Sequence, residues 1–337
     1  MRVPVETMLS DHPLIDVRSP SEFEKGHVPG AHNIPLLSDQ ERHQVGICYK
    51  QQGQKAAIEL GLELVGGKFE GFINDAQRLA EHRALNVYCW RGGMRSAAMS
   101  WLFEQTGLQA KTLEGGYKAW RQFALKTLRT PRKYISLTGY TGVGKTNILH
   151  ALRALGEQVL DLEGIANHEG SAFVSAKRQQ PSTEHFENLV AKQLLEFDAS
   201  QPIWVEDESR SIGKVFMDTG FFELIRTADV VLVNRPYEDR IRFLCDTYGE
   251  KEMELLREGF ERIRKRLGGQ NVKAALSYLA QGNIDAAARI AMQYYDKAYL
   301  NSMSTSKRIP LTSVSLRDKT YCELATELKG WKDTRKW

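Results

Sequence analysis

A short segment around Cys89 combines a thiol with glycines and arginines, so it could hold an anion beside a nucleophile. The segment reads YCWRGGMRS from residue 88 to residue 96. A strand that ends at the cysteine, a glycine-bearing loop and a following helix can point several backbone N–H groups into one small bowl. Such a bowl binds anions and lowers the pKa of a thiol. We predict that Cys89, Arg91 and Arg95 are catalytic. The other predicted anion-binding residues of the loop are Trp90, Gly92, Gly93 and Met94.

The alternative for Cys89 is a buried structural cysteine, which is the usual fate of a free thiol. A structural cysteine does not need two glycines and two arginines within six residues, which is what this segment contains. The composition of the loop therefore favours a functional cysteine. Cys48, Cys245 and Cys322 have no such neighbours, and we interpret them as packing or surface residues.

A second segment matches the phosphate-binding P-loop motif G-x4-G-K-T. It reads GYTGVGKT from residue 139 to residue 146, after an apolar strand pattern and before a helical one. Glycines let the backbone wrap around phosphates, while the lysine reaches terminal phosphate oxygens and the threonine hydroxyl can bind Mg²⁺. The predicted phosphate-binding residues are Gly139, Gly142, Gly144, Lys145 and Thr146, with Thr146 as the metal-binding residue.

An acidic partner for this loop is predicted at the end of the strand pattern IWVEDE, residues 203 to 208. The segment resembles the acidic strand of P-loop enzymes, although Glu206 stands where aspartate is usual. We predict that Glu206 is catalytic, but the pattern leaves open which of Glu206, Asp207 and Glu208 acts. Asp161 and Glu163, which end the preceding strand pattern, are weaker candidates.

A basic stretch lies near the C-terminus, on a predicted helix. Basic groups with nearby tyrosines suit RNA, although glutamates in the same stretch are also typical of a solvated helix face. The candidate RNA-binding residues are Arg262, Arg264, Lys265 and Arg266.

The elements that must position these residues form an α/β protein with two domains. The chain has 337 residues, a formal net charge of +4 and 42% hydrophobic residues, which excludes collagen-like and wholly disordered classes. No apolar run approaches a membrane span, and the N-terminus lacks the pattern of a signal peptide, so we expect a cytoplasmic protein without a membrane partner. Four cysteines without a CxxC pair argue against a disulfide framework.

Strand patterns alternate with helical ones on both sides of a charged linker near residues 126 to 133, which predicts mostly parallel sheets. We predict an N-terminal domain over residues 1–128, with a helical insertion near 42–67. The second predicted domain covers residues 129–337 and has the α/β fold of P-loop NTPases, with a helical region over 250–300.

The N-terminal domain resembles the rhodanese family. LIDVRSPSEFEKGHVPGAHNIPL (residues 14 to 36) is similar to the family's opening motif, and LEGGYKAWR (113 to 121) is similar to its closing motif. The resemblance implies that Cys89 carries or attacks a chalcogen. We interpret Asp16, Arg18 and Glu22 as a structural ion-pair cluster. The loop reads Cys-x5-Arg, one residue longer than in simple sulfurtransferases, and a longer loop can hold a phosphate-sized anion.

A rhodanese domain followed by a P-loop domain resembles the tRNA 2-selenouridine synthase family across the whole chain. This resemblance implies exchange of sulfur for selenium in wobble 2-thiouridine of tRNA. It implies selenophosphate and geranyl diphosphate as co-substrates and S-geranyl-2-thiouridine as an intermediate. We expect no tightly bound cofactor, and the sequence leaves open whether Mg²⁺ binds at the phosphate loop. A selenophosphate-supplying enzyme is a candidate partner. The resemblance leaves the oligomeric state open.

Two other functions stay open at this point. A phosphatase or sulfurtransferase of the rhodanese type would use Cys89 and Arg95 but would leave the second domain without a role. A nucleotide-gated regulatory protein would bind and hydrolyse ATP or GTP and would not depend on Cys89.

Overall fold

The computed structural model describes residues 2–5, 12–80, 83–168, 179–249, 253–306, 308–335 and 337. It divides into two compact units. The first comprises Met1–Leu128 and Ser182–Lys192, and the second comprises Arg129–Pro181 and Gln193–Trp337. The predicted domain boundary after residue 128 coincides with the end of Met1–Leu128, the longer of the two segments that form the first unit. The segment Ser182–Lys192, which we assigned to the second domain, lies with the first unit instead.

The first unit contains a five-stranded sheet in the order β1-β5-β4-β2-β3, with every pair of strands parallel. Its strands are β1 (Arg2–Val3), β2 (Leu14–Asp16), β3 (His32–Asn33), β4 (Ala84–Tyr88) and β5 (Gln109–Leu113). Its helices are α1 (Pro20–Lys25), α2 (Asp39–Gln52), α3 (Gln54–Val65), α4 (Phe69–Leu79), α5 (Met94–Gln105) and α6 (Gly116–Leu128).

The core of the first unit consists of apolar side chains from the central strands and the helices packed on them. Ile15 and Val87 from adjacent strands are fully buried, and Phe72 and Phe103 pack against them from α4 and α5. Because strands in a parallel sheet are covered on both faces, near-continuous apolar runs such as LIDV are expected there. Helices α2 and α3 occupy the stretch predicted as a helical insertion.

The helical segment Ser182–Lys192 joins the first unit through polar contacts. The hydroxyl of Tyr117 donates to Glu184 Oε1 at 2.8 Å. Arg121 Nη1 donates to Asn188 Oδ1 at 2.6 Å, and Asn188 Nδ2 donates to the carbonyl of His27 at 2.8 Å. These contacts join residues distant in sequence, so no local pattern indicates them.

The second unit contains another five-stranded sheet, in the order β12-β11-β6-β8-β7, and again every pair of strands is parallel. Its strands are β6 (Tyr134–Thr138), β7 (Val159–Leu160), β8 (Ile203–Glu206), β11 (Asp229–Asn234) and β12 (Thr312–Ser315), while β9 (Ser211–Ile212) and β10 (Val215–Phe216) form a separate antiparallel pair. The two parallel sheets confirm the predicted α/β fold class.

Helices cover the second sheet and form a separate cluster after it. They are α7 (Lys145–Ala154), α8 (Leu162–Ile165), α9 (Thr183–Glu196, of which the residues up to Lys192 belong to the first unit), α10 (Thr219–Arg226), α11 (Tyr237–Gly249), α12 (Met253–Arg262), α13 (Arg264–Leu267), α14 (Gly269–Ala280), α15 (Ile284–Ser306) and α16 (Tyr321–Asp333). Residues 250–252 of the predicted helical region lie outside the described residues. In the part of the chain that the structure describes, no helix has the length and apolarity required to cross a membrane.

Candidate functional site

The Cys89 loop connects the end of β4 to the start of α5, as the sequence predicted. Gly92 adopts a φ of +65°, and a Cβ atom at this position would collide with the carbonyl oxygen of Leu113. A residue with a side chain would therefore open the loop. The N-terminus of α5 begins at Met94, so its unpaired N–H groups face the loop. The loop thus has the geometry of a small anion-binding cradle.

The Cys89 thiol is 4% exposed and receives hydrogen bonds from its own loop. The backbone N–H of Gly93 donates to Cys89 Sγ at 3.3 Å, and Ser96 Oγ lies 3.3 Å from the same sulfur. Burial alone would raise the pKa of the thiol, but the hydrogen bonds from Ser96 and Gly93 and the charge of Arg95 outweigh it. The pKa of Cys89 is therefore lower than usual, which increases the thiolate fraction near neutral pH.

We expect this lowered pKa to appear in a pH titration of the thiolate. An ordinary cysteine ionises near pH 8.5. Because the folded protein stabilises the Cys89 thiolate, the thiolate is present below that pH and is protonated only as the pH falls through the lowered pKa. The measurement is the thiolate absorbance at 240 nm of the wild-type protein minus that of Cys89→Ser, as a function of pH.

The Ser96→Ala variant is the matched comparison for this titration, because it removes one hydrogen bond and leaves the cysteine in place. Its Cys89 midpoint should move to higher pH. Equal midpoints in the wild type and Ser96→Ala, both at the ordinary cysteine value, would contradict an activated thiol.

Arg95 is held by an acidic residue from the opening motif. Its Nη1 donates to Glu22 Oε2 at 2.8 Å, and the Nε of Arg42 contacts the same oxygen at 2.8 Å. Burial alone would raise the pKa of Glu22, but Arg95 and then Arg42 stabilise its charged form, and the pKa is lowered. Glu22 is therefore not part of the buried Asp16–Arg18 pair, as we had interpreted it, but orients Arg95 beside the cradle. Arg91 is exposed at the loop surface.

The phosphate loop lies between β6 and α7, as predicted. Gly144 has a φ of +84°, and a Cβ atom there would approach Tyr321 within 2.6 Å. Lys145 Nζ donates to the carbonyl of Gly139 at 3.4 Å, so the lysine folds back over the loop. Arg240, which is paired with Asp296, donates to the carbonyl of Thr141 at 3.2 Å. The loop borders a cavity of about 360 Å³.

Three carboxylates meet at the wall of this cavity: Glu163, Glu206 and Glu208. One oxygen of each lies within 4.8 Å of the others. Burial and then mutual repulsion raise the pKa of Glu163 and of Glu208, and burial likewise raises the pKa of Glu206. The negative charge of these three carboxylates is therefore costly here, and either bound protons or a bound cation would offset it.

These residues fit a hard divalent cation. Glu206 is 2% exposed, and its Oε1 has no hydrogen-bond partner among the described residues. Thr146, the predicted metal-binding residue of the phosphate loop, stabilises the charged form of this carboxylate and so offsets part of the rise in its pKa. Mg²⁺ is typically held by one or two carboxylates together with phosphate oxygens and water. A carboxylate oxygen that receives no hydrogen bond from any described residue, close to the loop threonine, is the arrangement that such a cation would satisfy.

The acidic residues near the phosphate loop, among which the sequence could not choose, have different contacts in the structure. Asp207 accepts a hydrogen bond from Thr138 at 2.9 Å and pairs with Arg226, so it supports the end of the strand. Asp161 caps the N-terminus of α8 and accepts the N–H of Gly164 at 2.7 Å. Glu163, which we had ranked low, joins the cluster because β7 pairs directly with β8. No local pattern indicates that strand order.

The predicted RNA-binding stretch lies on α12 and α13. Arg262 pairs with Glu258 at 2.9 Å, and Arg264 pairs with Glu261. Arg266 donates to the hydroxyl of Tyr294 at 3.1 Å, and Lys265 is exposed. The arrangement has the features of a solvated helix face. Helices α12 and α13 together carry five basic and three acidic side chains, so their surface has a net positive charge.

Two known protein families match this chain, one in its N-terminal part and one in its C-terminal part. Residues 4–123 match the family model of the rhodanese-like domain. Residues 132–318 match the family model described as the tRNA 2-selenouridine synthase AAA domain. The two matches follow the same order as the Cys89 loop and the phosphate loop.

Curated relatives cover most of the chain. A tRNA 2-selenouridine synthase of Nitrosomonas europaea is 41% identical over 71% of this chain and 64% of its own length. A tRNA 2-selenouridine synthase of Shewanella woodyi is 36% identical over 87% of this chain and 89% of its own length. Among solved structures, the N-terminal domain of a Clostridium difficile protein described as ATP/GTP binding is 38% identical, with a TM-score of 0.36, over 37% of this chain and 99% of that chain.

Proposed function

Because this chain belongs to the tRNA 2-selenouridine synthase family, we propose that it replaces the sulfur of wobble 2-thiouridine in tRNA with selenium. The observation that supports this proposal most strongly is the presence in one chain of two anion sites with different chemistry. One is a cysteine cradle with a lowered thiol pKa, and the other is a phosphate loop faced by carboxylates. Each site can perform one step of a two-step exchange.

The phosphate loop would perform the first step, in which geranyl diphosphate alkylates the tRNA sulfur. The 2-thio sulfur attacks C1 of the geranyl group, a C–S bond forms, the C–O bond breaks, and diphosphate leaves with the bonding electrons. Lys145 and the loop amides neutralise the charge that develops on the diphosphate. The proton on N3 of the uridine is lost, and alkylation converts the sulfur into a thiol leaving group.

A divalent cation would assist this leaving group. Glu163, Glu206 and Glu208, together with Thr146, are the residues that would hold it. When bound, Mg²⁺ would supply further positive charge to the diphosphate. Glu206 is buried, and one of its oxygens has no hydrogen-bond partner within the described part of the chain, which supports this assignment.

The Cys89 loop would perform the second step with selenophosphate. The selenium attacks C2 of S-geranyl-2-thiouridine, a C–Se bond forms, the C–S bond breaks, and geranylthiol leaves after taking up a proton. Arg95, Arg91 and the amides of the loop hold the phosphoryl oxygens of the donor. The phosphoryl group must then be removed from selenium.

Cys89 is suited to remove that phosphoryl group rather than to carry selenium. Selenium bonded to sulfur is two electrons more oxidised than selenium in selenophosphate, so a Cys89–selenium adduct would require an oxidant. A thiolate that attacks phosphorus needs none: an S–P bond forms, the Se–P bond breaks, and water then releases phosphate. N3 recovers a proton, which gives 2-selenouridine. The spacing Cys-x5-Arg and the contact of 3.3 Å between Ser96 Oγ and Cys89 Sγ support this role.

We further propose that the tRNA backbone contacts the cationic surface of α12 and α13. The exposed Lys265 and the arginines around it would bind phosphates without reading bases.

Nucleoside mass spectrometry tests the proposed function. Substrate tRNA carrying wobble 2-thiouridine is incubated with the wild-type protein, Mg²⁺ and either one donor or both donors. Geranyl diphosphate alone should give S-geranyl-2-thiouridine, and both donors should give 2-selenouridine. Unchanged 2-thiouridine in every tube, with folded protein, would overturn the proposal. Release of phosphate from aryl phosphates or of nucleoside diphosphate from ATP would then favour the phosphatase or the nucleotide-gated protein.

A further inference from the structure

An apolar cavity of about 240 Å³ lies in the first unit, next to the Cys89 loop. Its walls come from the helical insertion, through residues such as Ile58 and Leu62, and from α5, through residues such as Ala98 and Trp101. Of the described residues that line it, Arg95 alone is charged. The helical insertion therefore forms an apolar cavity beside the Cys89 loop, which itself carries charged groups.

The residues at the cavity mouth are large, apolar and exposed to solvent. Leu62 is 61% exposed, Trp101 is 59% exposed and Met94 is 58% exposed. Contiguous apolar surface of this kind typically marks a binding site. The Cys89 loop segment adjoins the apolar cavity, because its residues Met94 and Arg95 also line the cavity. A ligand that uses both must carry an apolar arm next to its reacting group.

We propose that this cavity binds the isoprenoid chain of S-geranyl-2-thiouridine while selenium is transferred at the Cys89 loop. This inference rests on the proposed function, which places the S-geranyl nucleoside at that loop. The size of the cavity supports the assignment. An apolar cavity of about 150 Å³ accommodates the six carbons of benzene, so a cavity of about 240 Å³ suits a ten-carbon chain.

The cavity would act on the step in which geranylthiol leaves. The C2–S bond breaks with both electrons remaining on sulfur, the sulfur takes up a proton, and the departing thiol still carries its ten-carbon chain. Binding of that chain fixes the C2–S bond near the selenium donor and separates the S-geranyl nucleoside from unmodified 2-thiouridine. Each methylene group buried in this way should contribute about fourfold to selectivity.

The Ala98→Trp variant tests the inference, because Ala98 lines the cavity and is exposed on α5. The matched control is Ala97→Trp, an exposed neighbour on the same helix that does not line the cavity. The substrates are two anticodon stem–loop RNAs, one with S-geranyl-2-thiouridine and one with S-methyl-2-thiouridine at the wobble position. Selenophosphate is the donor, and kcat/KM for 2-selenouridine formation is measured by mass spectrometry.

The wild type and Ala97→Trp should prefer the S-geranyl RNA by at least tenfold. Ala98→Trp should lose that preference, mainly through a higher KM for S-geranyl RNA, and should retain the wild-type rate with S-methyl RNA. Leu62→Ser, a change at an exposed position of the same cavity, should give a smaller loss in the same direction and covers the case in which Ala98→Trp does not fold.

Two results would overturn the inference while leaving the proposed function intact. One is an unchanged preference for S-geranyl RNA in both cavity variants. The other is a wild-type dimer that Ala98→Trp converts to a monomer in sedimentation without any loss of preference, which would assign the cavity to a second copy of the chain. Failure of the wild type to convert either RNA would instead contradict the proposed function itself.

Discussion

Replacement of Lys145 by methionine is expected to lower the rate of tRNA geranylation by about 10²–10³-fold. Lys145 follows the last glycine of the phosphate loop and lies over the loop, next to the cavity that the three glutamates face. Methionine keeps the length of the side chain but removes the charge that would stabilise the departing diphosphate. The measurement is the initial rate of S-geranyl-2-thiouridine formation with geranyl diphosphate and no selenophosphate.

The same variant should still convert tRNA that already carries S-geranyl-2-thiouridine, because the second step uses the Cys89 loop. Lys319→Met is the matched control, since Lys319 is a half-exposed lysine of the same unit and pairs with Glu327 on the surface. Wild-type geranylation by Lys145→Met would show that the loop lysine does not contact the diphosphate. An equal loss in both steps would show that the sites do not divide the reaction.

Replacement of Arg18 by methionine is expected to destabilise the first unit by about 3–5 kcal/mol. Arg18 is 1% exposed and Asp16 is fully buried, and Arg18 Nη2 donates to Asp16 Oδ2 at 2.6 Å. The guanidinium also donates to the carbonyl of Gly26 at 2.7 Å and lies 3.8 Å from the centre of the Tyr117 ring. Without Arg18, the Asp16 carboxylate is left buried and without its counter-charge.

Hydrogen exchange of peptides from β2 and β4 at increasing urea concentration measures this loss within the full chain. The control Lys55→Met removes an exposed ion pair with Glu59, and such pairs contribute about 0.3–0.5 kcal/mol. The double variant Asp16→Leu/Arg18→Met should recover part of the loss, because no buried charge is left unpaired. A loss in Arg18→Met as small as that in Lys55→Met would show that the buried pair is not structural.

The parts of both sites that lie in one continuous segment could be predicted from the sequence. The Cys89 loop and the phosphate loop each consist of a strand, a glycine-bearing turn and the start of a helix. Their residue order therefore fixes the approximate geometry, because glycine tolerates the left-handed backbone that the turn needs. Gly92 and Gly144 both adopt positive φ values at these turns.

The parts that depend on tertiary contacts could not be predicted in the same way. Glu22 and Arg95 are 73 positions apart, and only the packing of α1 against the start of α5 brings them together. Glu163 reaches the carboxylate cluster because β7 and β8 are neighbours in the sheet. Alternating strands and helices predict a parallel sheet but not the order of its strands.

The helical insertion shows a third limit. Its helices were predicted from their length and polarity, but the sequence did not indicate that they enclose a cavity with α5. Leu62 on α3 and Trp101 on α5 each belong to an apolar pattern with helical spacing, and such a pattern normally indicates a buried helix face. Their exposure is a property of the tertiary structure, and it is what supports a binding role.

The measurement that tests the central claim most directly is a chase experiment on the order of the two steps. Wild-type and Cys89→Ser proteins are first given 2-thiouridine tRNA and geranyl diphosphate, and selenophosphate is then added. The nucleosides are followed by mass spectrometry. We predict that both proteins form S-geranyl-2-thiouridine, that the wild type then converts it to 2-selenouridine, and that Cys89→Ser does not. Formation of 2-selenouridine by Cys89→Ser at the wild-type rate, or selenation of tRNA by the wild type without any geranyl donor, would contradict the account.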